Sequence, residues 1–147
     1  MDDAASARKV VHGECVVMGE ECFDVLETPG HSPCSLTVRW RDRVLTGHTL
    51  LAGKAGPCNR PDSDPGQLFD SIHEYLYTLP PAVKIFPGFR LENGESSIGR
   101  ERSDNKELNA HTERTSFLEK KVREQGAMAG MARPFLAHRA GNLYPYA

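Results

Sequence analysis

The sequence predicts an α+β fold built on one antiparallel-rich sheet with flanking helices. Three observations predict it: short segments rich in β-branched residues fill the first third, an amphipathic helix pattern follows, and a short apolar strand comes after that helix. Of the 147 residues, 39% are hydrophobic and 26% are charged, which is typical of a globular chain of one domain.

Four strands are predicted before residue 50. Residues 8–25 indicate a hairpin with its bend at Gly19-Glu20, and the strand over 22–27 stops where proline and glycine break the ladder. Residues 35–40 alternate apolar and polar side chains, and the chain returns over 44–46 as the next strand after a turn at Arg41-Asp42. The order so far is therefore four consecutive strands.

The middle of the chain predicts a loop, a helix and a strand. Prolines and glycines make 53–66 a loop, and Asp64-Pro65 starts a helix with an N-cap side chain followed by proline. The helix then continues to Pro80-Pro81 with apolar residues at helical spacing, namely Leu68, Ile72, Leu76 and Leu79. Residues 83–86 follow as a short apolar strand.

The last third predicts one charged surface helix over 109–125, carrying Phe117, Leu118 and Val122. The tail over 126–147 is apolar enough that we expect it to pack on the domain or on a partner. We therefore divide the chain into a domain over 1–108 and a helix with its tail over 109–147. The charge runs 100–102 and 119–121 are expected to be solvated faces.

Composition excludes several classes of function. A net charge of −2 and a pI near 6.3 give no electrostatic case for nucleic acid or an anionic membrane. No apolar run approaches the roughly 20 residues of a membrane helix, and the acidic start is unlike a signal peptide. The four cysteines form no Cys-x-x-Cys pair, so we expect reduced thiols in an intracellular protein rather than a zinc ribbon or a disulfide framework.

Three predicted strand ends carry large side chains after a glycine. The first is Thr28-Pro29-Gly30-His31, the second is Thr46-Gly47-His48, and the third is Phe86-Pro87-Gly88-Phe89. Ligand sites gather at such edges, although a lone histidine after a strand is more often a solvated loop residue. His73 is expected on the helix surface, and Cys34 near His31 lacks the partners that a nucleophile needs. No catalytic residue is predicted.

In this order, with a helix between the last two, the strand ends resemble the second half of the metallo-β-lactamase fold. The branch they resemble contains the persulfide dioxygenases (sulfur dioxygenases) and glyoxalase II. The matching stretches are 28–31, 46–51, 71–80, 86–91 and 96–102, within a likeness that covers about residues 8–108. The resemblance implies a partial αββα sandwich.

The same resemblance implies a degenerate metal site. The family's first ligands come from a His-x-His-x-Asp-His motif, and this sequence holds none. His31 keeps the next ligand position, His48 stands where the family has an aspartate, Phe89 stands where it has the last histidine, and Arg90 replaces the aspartate after it. His31 and His48 are therefore interpreted as vestigial metal positions, with no cofactor expected and iron or zinc as the alternative.

The resemblance leads to three functional hypotheses. The first is a non-catalytic subunit of a larger assembly, in which a protein partner or a second copy covers the half-sandwich. The alternative is a glutathione-persulfide dioxygenase or glyoxalase II-like thioester hydrolase whose missing ligands come from another chain. The third is a module that binds glutathione without metal, although the changed loop over 54–60 weighs against it. The branch implies an intracellular protein, mitochondrial or cytoplasmic and not secreted.

Overall fold

A computed structural model describes residues 8–89 and 95–132. The first strands are β1 (Cys15–Met18), β2 (Glu21–Glu27), β3 (Leu36–Trp40), β4 (Arg43–Gly47), β5 (Leu50–Leu51) and β6 (Lys54–Ala55). The chain continues with α1 (Pro65–Ser71), whose π-helical continuation is Ile72–Leu76, and then with β7 (Lys84–Pro87), β8 (Ser96–Ser97), α2 (Ile98–Asp104) and α3 (Arg114–Ala132).

Six strands form one mixed sheet in the order β1-β2-β3-β4-β7-β8, and β5 and β6 form a small hairpin. Every pair in the main sheet is antiparallel except β4 and β7, which are parallel. A parallel pair needs a crossover connection, and here α1 lies within it. The predicted α+β class, with an antiparallel-rich sheet and flanking helices, is confirmed.

The start of α1 follows from two residues. The side chain of Asp64 accepts hydrogen bonds from the backbone N–H groups of Gly66 and Gln67, and Pro65 occupies the first helical position. Leu68, Ile72 and Leu76 then lie on the buried face and are fully buried. This face packs on the sheet through Val44 and Ile85, so α1 fixes one side of β4 and β7.

The opposite face of the sheet is apolar and partly exposed. Strand register places Leu45 beside Val38 and Phe86, and side-chain alternation adds the remaining members. We call this surface the open face; its principal residues are Met18, Leu36, Trp40, Leu45 and Phe86. Met18 is 60% exposed, Leu45 43%, Phe86 39% and Leu36 37%. Val38, Leu45 and Phe86 are cross-strand neighbours on this face, and the charged Glu21 and Arg43 also lie on it.

The last third differs from the prediction. Helix α3 begins at Arg114 and not at residue 109, because Asn109 and Thr112 hydrogen-bond each other and the intervening backbone, which competes with a helix. Strand β8 and helix α2 were not predicted as elements. Ser97 caps α2 by accepting a hydrogen bond from the N–H of Arg100. The predicted packing of the tail beyond residue 132 lies outside the described residues.

The expectation of solvated charge over 100–102 and 119–121 is wrong for one residue of each run. Glu101 and Lys121 are each only 2% exposed. On α3, Lys121 follows the buried Phe117 by one helical turn and shares its inner stripe, whereas Val122 is 58% exposed. Phe117 belongs to the same hydrophobic core as α1, so α3 packs on the domain.

The expectation of four reduced thiols is also wrong for one pair. Cys15 and Cys22 form a disulfide across the β1–β2 hairpin, with their Cα atoms 5.6 Å apart. The register of the hairpin brings the two cysteines together. Their spacing in the sequence is not Cys-x-x-Cys, so that pattern did not predict the pair. Cys34 is a free exposed thiol and Cys58 a free buried one. Among the described helices, none is long and apolar enough to cross a membrane.

Candidate functional site

The structure brings His31, His48 and Phe89 together beside the ends of β2, β4 and β7. The imidazole rings of His31 and His48 stack with centroids 4.9 Å apart and planes 22° from parallel. The Phe89 ring lies 6.5 Å from His48, centroid to centroid. The three positions that the resemblance assigns to metal ligands are therefore neighbours.

His31 is held by the loop that precedes α1. Its Nδ1 lies 2.6 Å from the carbonyl oxygen of Pro57, so Nδ1 carries the proton and donates it. The hydroxyl of Ser63 donates to the His31 carbonyl at 2.8 Å. The backbone before His31 packs directly on α1, and Gly30 permits this contact. A Cβ at Gly30 would lie 2.3 Å from the Cα of Leu68, and the φ angle there is +139°. Only glycine fits this position without strain.

His48 occupies the turn between β4 and β5. Gly47 before it has a φ of +52°. Gly56 passes so close that an added Cβ would lie 1.7 Å from the carbonyl oxygen of His48. The N–H of Gly56 donates to the carbonyl of Thr49 at 3.0 Å. The His48 backbone is therefore fixed by two glycines rather than by side-chain hydrogen bonds.

Buried threonines join the strands beneath these loops. The hydroxyl of Thr28 lies 3.1 Å from that of Thr37 and 3.0 Å from that of Thr49. All three residues are at most 1% exposed. Thr46, equally buried, donates to the carbonyl of Leu50 at 2.6 Å. This chain of hydroxyl groups satisfies the polar atoms between β2, β3 and β4, which gives the threonines a structural role.

A cavity of about 450 Å³ opens beside His48 and Phe89. The apolar part of its wall is formed by Leu51, Ala55 and Pro57, and α3 contributes Lys121 and Glu124. The ammonium group of Lys121 lies 2.9 Å from Glu107 and 3.4 Å from Glu124. This ion-pair cluster around the buried Lys121 was not predicted from the sequence, although the helical spacing of Lys121 from Phe117 was a signal that could have found it.

The donor set around His31 and His48 does not fit a zinc or iron site. Such sites use three or four protein ligands at about 2.0–2.3 Å. An imidazole lone pair lies in its ring plane, so two stacked, nearly parallel rings do not aim both lone pairs at one ion. Within the described residues, the groups of three possible ligand side chains do not include either histidine. Phe89 offers no ligand atom.

The other candidate site residues, His73, Cys34 and Cys58, make contacts that indicate structural roles. His73 is half-buried rather than a simple surface residue, since its ring stacks on Phe69 with centroids 4.1 Å apart and its Nδ1 lies 3.1 Å from the Phe69 carbonyl. Cys34 contacts the hydroxyl of Ser32 at 3.6 Å and not an imidazole. Burial raises the pKa of the Cys58 thiol to about 11, which keeps it protonated and unreactive.

The chain is similar to several known proteins, although no family model matches it. Hydroxyacylglutathione hydrolase from Anaeromyxobacter dehalogenans (strain 2CP-C) is 34% identical over 73 residues, which cover 50% of this chain and 28% of that protein. ETHE1 from Myxococcus xanthus superposes with a TM-score of 0.75 at 30% identity, over 88% of this chain and 60% of that chain.

A metallo-β-lactamase from Staphylococcus aureus subsp. aureus COL shares the fold, with a TM-score of 0.71 at 24% identity over 95% of this chain and 47% of that chain. The chain spans between 28% and 46% of the length of the curated relatives it matches. The similarity therefore identifies part of a fold.

Proposed function

We propose that the chain, which is similar to metallo-β-lactamase superfamily proteins over part of their fold, is a non-catalytic member of that superfamily and acts as an interaction subunit. The open face carries the proposal. An apolar sheet face that lies opposite the helix layer is normally buried against a further layer of structure.

The side chains of the open face indicate what kind of protein surface would pack on it. Apolar side chains on neighbouring strands suit a second β-sheet, which packs about 10 Å away. The guanidinium of Arg43 lies over the rings of Trp40 and Phe86, at 5.2 Å and 5.5 Å from their centroids. We therefore propose a protein partner that presents an apolar sheet face with a carboxylate or carbonyl oxygen opposite Arg43.

The site supports the non-catalytic half of the proposal. Of the family's ligand positions, only His31 keeps a ligand of the same kind, His48 stacks on it, and Phe89 is apolar. Loss of these ligands leaves the threonine network and the sheet intact. A chain retained for its surface would show this pattern.

The test uses the full chain with a photo-crosslinking residue at position 45 of the open face. The matched control carries it at Val17, which is apolar and 67% exposed but points to the other side of the sheet. We expect a stoichiometric heterocomplex by native mass spectrometry, crosslinked from position 45 and not from 17. Leu45→Glu should abolish the complex and Val17→Glu should keep it.

Two outcomes would refute this assignment. A wild-type chain that is monodisperse and monomeric at cellular concentrations, with crosslinks from neither position, would show that the open face needs no partner. A homodimer in sedimentation equilibrium that Leu45→Glu dissociates would replace the proposed partner with a second copy.

The enzyme alternative rests on one observation. The Pro57 carbonyl holds Nδ1 of His31 as a donor, which leaves Nε2 as the acceptor, and this is the arrangement of many metal-ligating histidines. In this alternative, another chain supplies the missing ligands. Metal analysis of the purified complex tests this: stoichiometric iron or zinc that His31→Ala removes would favour the enzyme, and a metal-free complex would eliminate it. Glutathione binding and a mitochondrial or cytoplasmic location stay predictions.

A further inference from the structure

The β1–β2 hairpin gathers two sulfur atoms and a carboxylate. One ligand atom from each of Cys15, Cys22 and Asp24 lies within 4.8 Å of the others. Cys22 Sγ is 3.4 Å from Asp24 Oδ1. Cys15 and Cys22 are exposed and Asp24 is half-buried, so solvent and small solutes reach all three.

Strand register explains why these groups meet. Cys15 is paired with Asp24 across the hairpin, and Cys22 precedes Asp24 by two residues on β2. Cross-strand partners and residues two apart on one strand point to the same face of a sheet. The two-residue bend at Gly19-Glu20 sets this register, which places the three side chains on one face whether or not the sulfur atoms are bonded.

We propose that the reduced hairpin binds a thiophilic divalent cation, Zn²⁺, through the thiolates of Cys15 and Cys22 and the carboxylate of Asp24. Tetrahedral zinc places sulfur ligands about 2.3 Å from the metal and oxygen ligands about 2.0–2.2 Å from it, with neighbouring ligand atoms roughly 3.5–3.8 Å apart. The Cys22 Sγ–Asp24 Oδ1 distance of 3.4 Å is close to this spacing. Water supplies the fourth position, and two thiol protons are released on binding.

The oxidation state of the hairpin controls the site. Oxidised glutathione converts the two thiols into the Cys15–Cys22 disulfide and leaves as two molecules of reduced glutathione, so one disulfide is formed for each one reduced. The disulfide withdraws both sulfur ligands, and Asp24 alone does not hold the cation. The structure shows this oxidised state, with Cys15 and Cys22 bonded. Zinc binding and disulfide formation are thus mutually exclusive.

The test is an anaerobic titration of the reduced full chain with Co²⁺ and then with competing Zn²⁺. Co²⁺ reports its ligands directly, since thiolates give a near-ultraviolet charge-transfer band and tetrahedral geometry gives strong visible bands. We expect one equivalent bound, displacement by Zn²⁺, and loss of the bands with oxidised glutathione. Cys15→Ser and Cys22→Ser should each abolish the charge-transfer band of a two-thiolate site, and Asp24→Asn should weaken binding at least tenfold, because even outer-shell changes cost about tenfold.

Two variants serve as controls. Cys34→Ser removes an exposed thiol outside the cluster and should leave the titration unchanged. His31→Ala removes the histidine of the strand-end site and should also leave it unchanged. Circular dichroism checks that the hairpin variants fold. We expect them to fold, because Cys15 and Cys22 are exposed and Asp24 is only half-buried. Three outcomes would each overturn the proposal: loss of Co²⁺ binding in His31→Ala, a titration without a thiolate charge-transfer band, or full affinity for the metal in Cys15→Ser.

Discussion

Removing the carboxyl group of Glu101 should lower the free energy of unfolding strongly. Its carboxyl group is buried and accepts three hydrogen bonds: from the hydroxyl of Ser96, from the N–H of Gly53 at 2.9 Å, and from the side-chain amide of Asn105 at 2.7 Å. These bonds tie β8 and the β5–β6 hairpin to α2. Glu101→Ala leaves the Gly53 and Asn105 donors without an acceptor.

The magnitude follows from the cost of unpaired donors. Each buried donor left unsatisfied costs about 1–3 kcal/mol, and Gly53 is half-buried, so its cost lies at the lower end. The sum predicts a loss of about 3 kcal/mol of unfolding free energy for Glu101→Ala. Glu101→Gln should lose only about 1 kcal/mol, because the Gly53 and Asn105 bonds both reach Oε2, where the amide oxygen can accept them, and the amide nitrogen can donate to the Ser96 hydroxyl.

Urea unfolding followed by far-ultraviolet circular dichroism measures both variants. Glu119→Ala is the control, since the Glu119 side chain is 70% exposed on α3 and should change stability by less than about 0.5 kcal/mol. A Glu101→Ala variant within about 1 kcal/mol of wild type would refute the argument, and so would a Gln variant as unstable as the Ala variant.

Three further changes should have measurable effects. Gly30→Ala forces a Cβ to within 2.3 Å of the Leu68 backbone at a φ of +139°, and should lower the urea midpoint by an amount equivalent to at least about 3 kcal/mol. Lys121→Met removes the buried cation 2.9 Å from Glu107, whose side chain is 14% exposed, and leaves only the exposed Lys120 at 4.0 Å; it should cost about 3 kcal/mol in the same measurement. The raised pKa of Cys58 makes the folded state hold its proton more tightly than the unfolded state, so stability should fall as pH rises from 9.0 towards about 11.

Each of these has a matched control. Gly126→Ala has nothing within 4 Å of the new Cβ and should be neutral or slightly stabilising in α3. Lys120→Met removes a lysine that is 49% exposed and 4.0 Å from Glu107, and should change little. Cys58→Ala should have a shallower alkaline slope than wild type. Equal effects in a variant and its control would contradict the corresponding argument.

Local chemistry made most of the fold predictable. Alternation over 35–40 and the Asp64-Pro65 start of α1 are decided by neighbouring residues, and the structure has a strand and a helix there. The predictions from sequence failed at residues whose structure depends on contacts with residues distant in the chain. Lys121 is a charged residue on the inner stripe of α3, and only the position of Glu107 and Glu124 makes its burial favourable. The π-helical continuation of α1 at Ile72 has no local signal that we identified.

The candidate site was predictable as a set of residues but not as a geometry. Glycines at the strand ends indicated where His31 and His48 would be presented. Their stacking depends on the Pro57 carbonyl, which lies 26 residues away along the chain from His31. The meeting of Cys15 and Cys22 depends on hairpin register, which follows from the predicted bend at Gly19-Glu20 but which the search for Cys-x-x-Cys spacing did not consider.

Trp40 is the single tryptophan of the chain, and it lies on the open face. Its indole N–H donates to Glu21 at 2.7 Å, its ring stacks with Phe23 at 5.5 Å, and two arginine guanidinium groups flank it. Its emission therefore arises from one environment and shifts to shorter wavelength when water leaves that surface. The chain thus carries its own optical reporter of whether the open face is covered, readable in a mixture with a tryptophan-free partner.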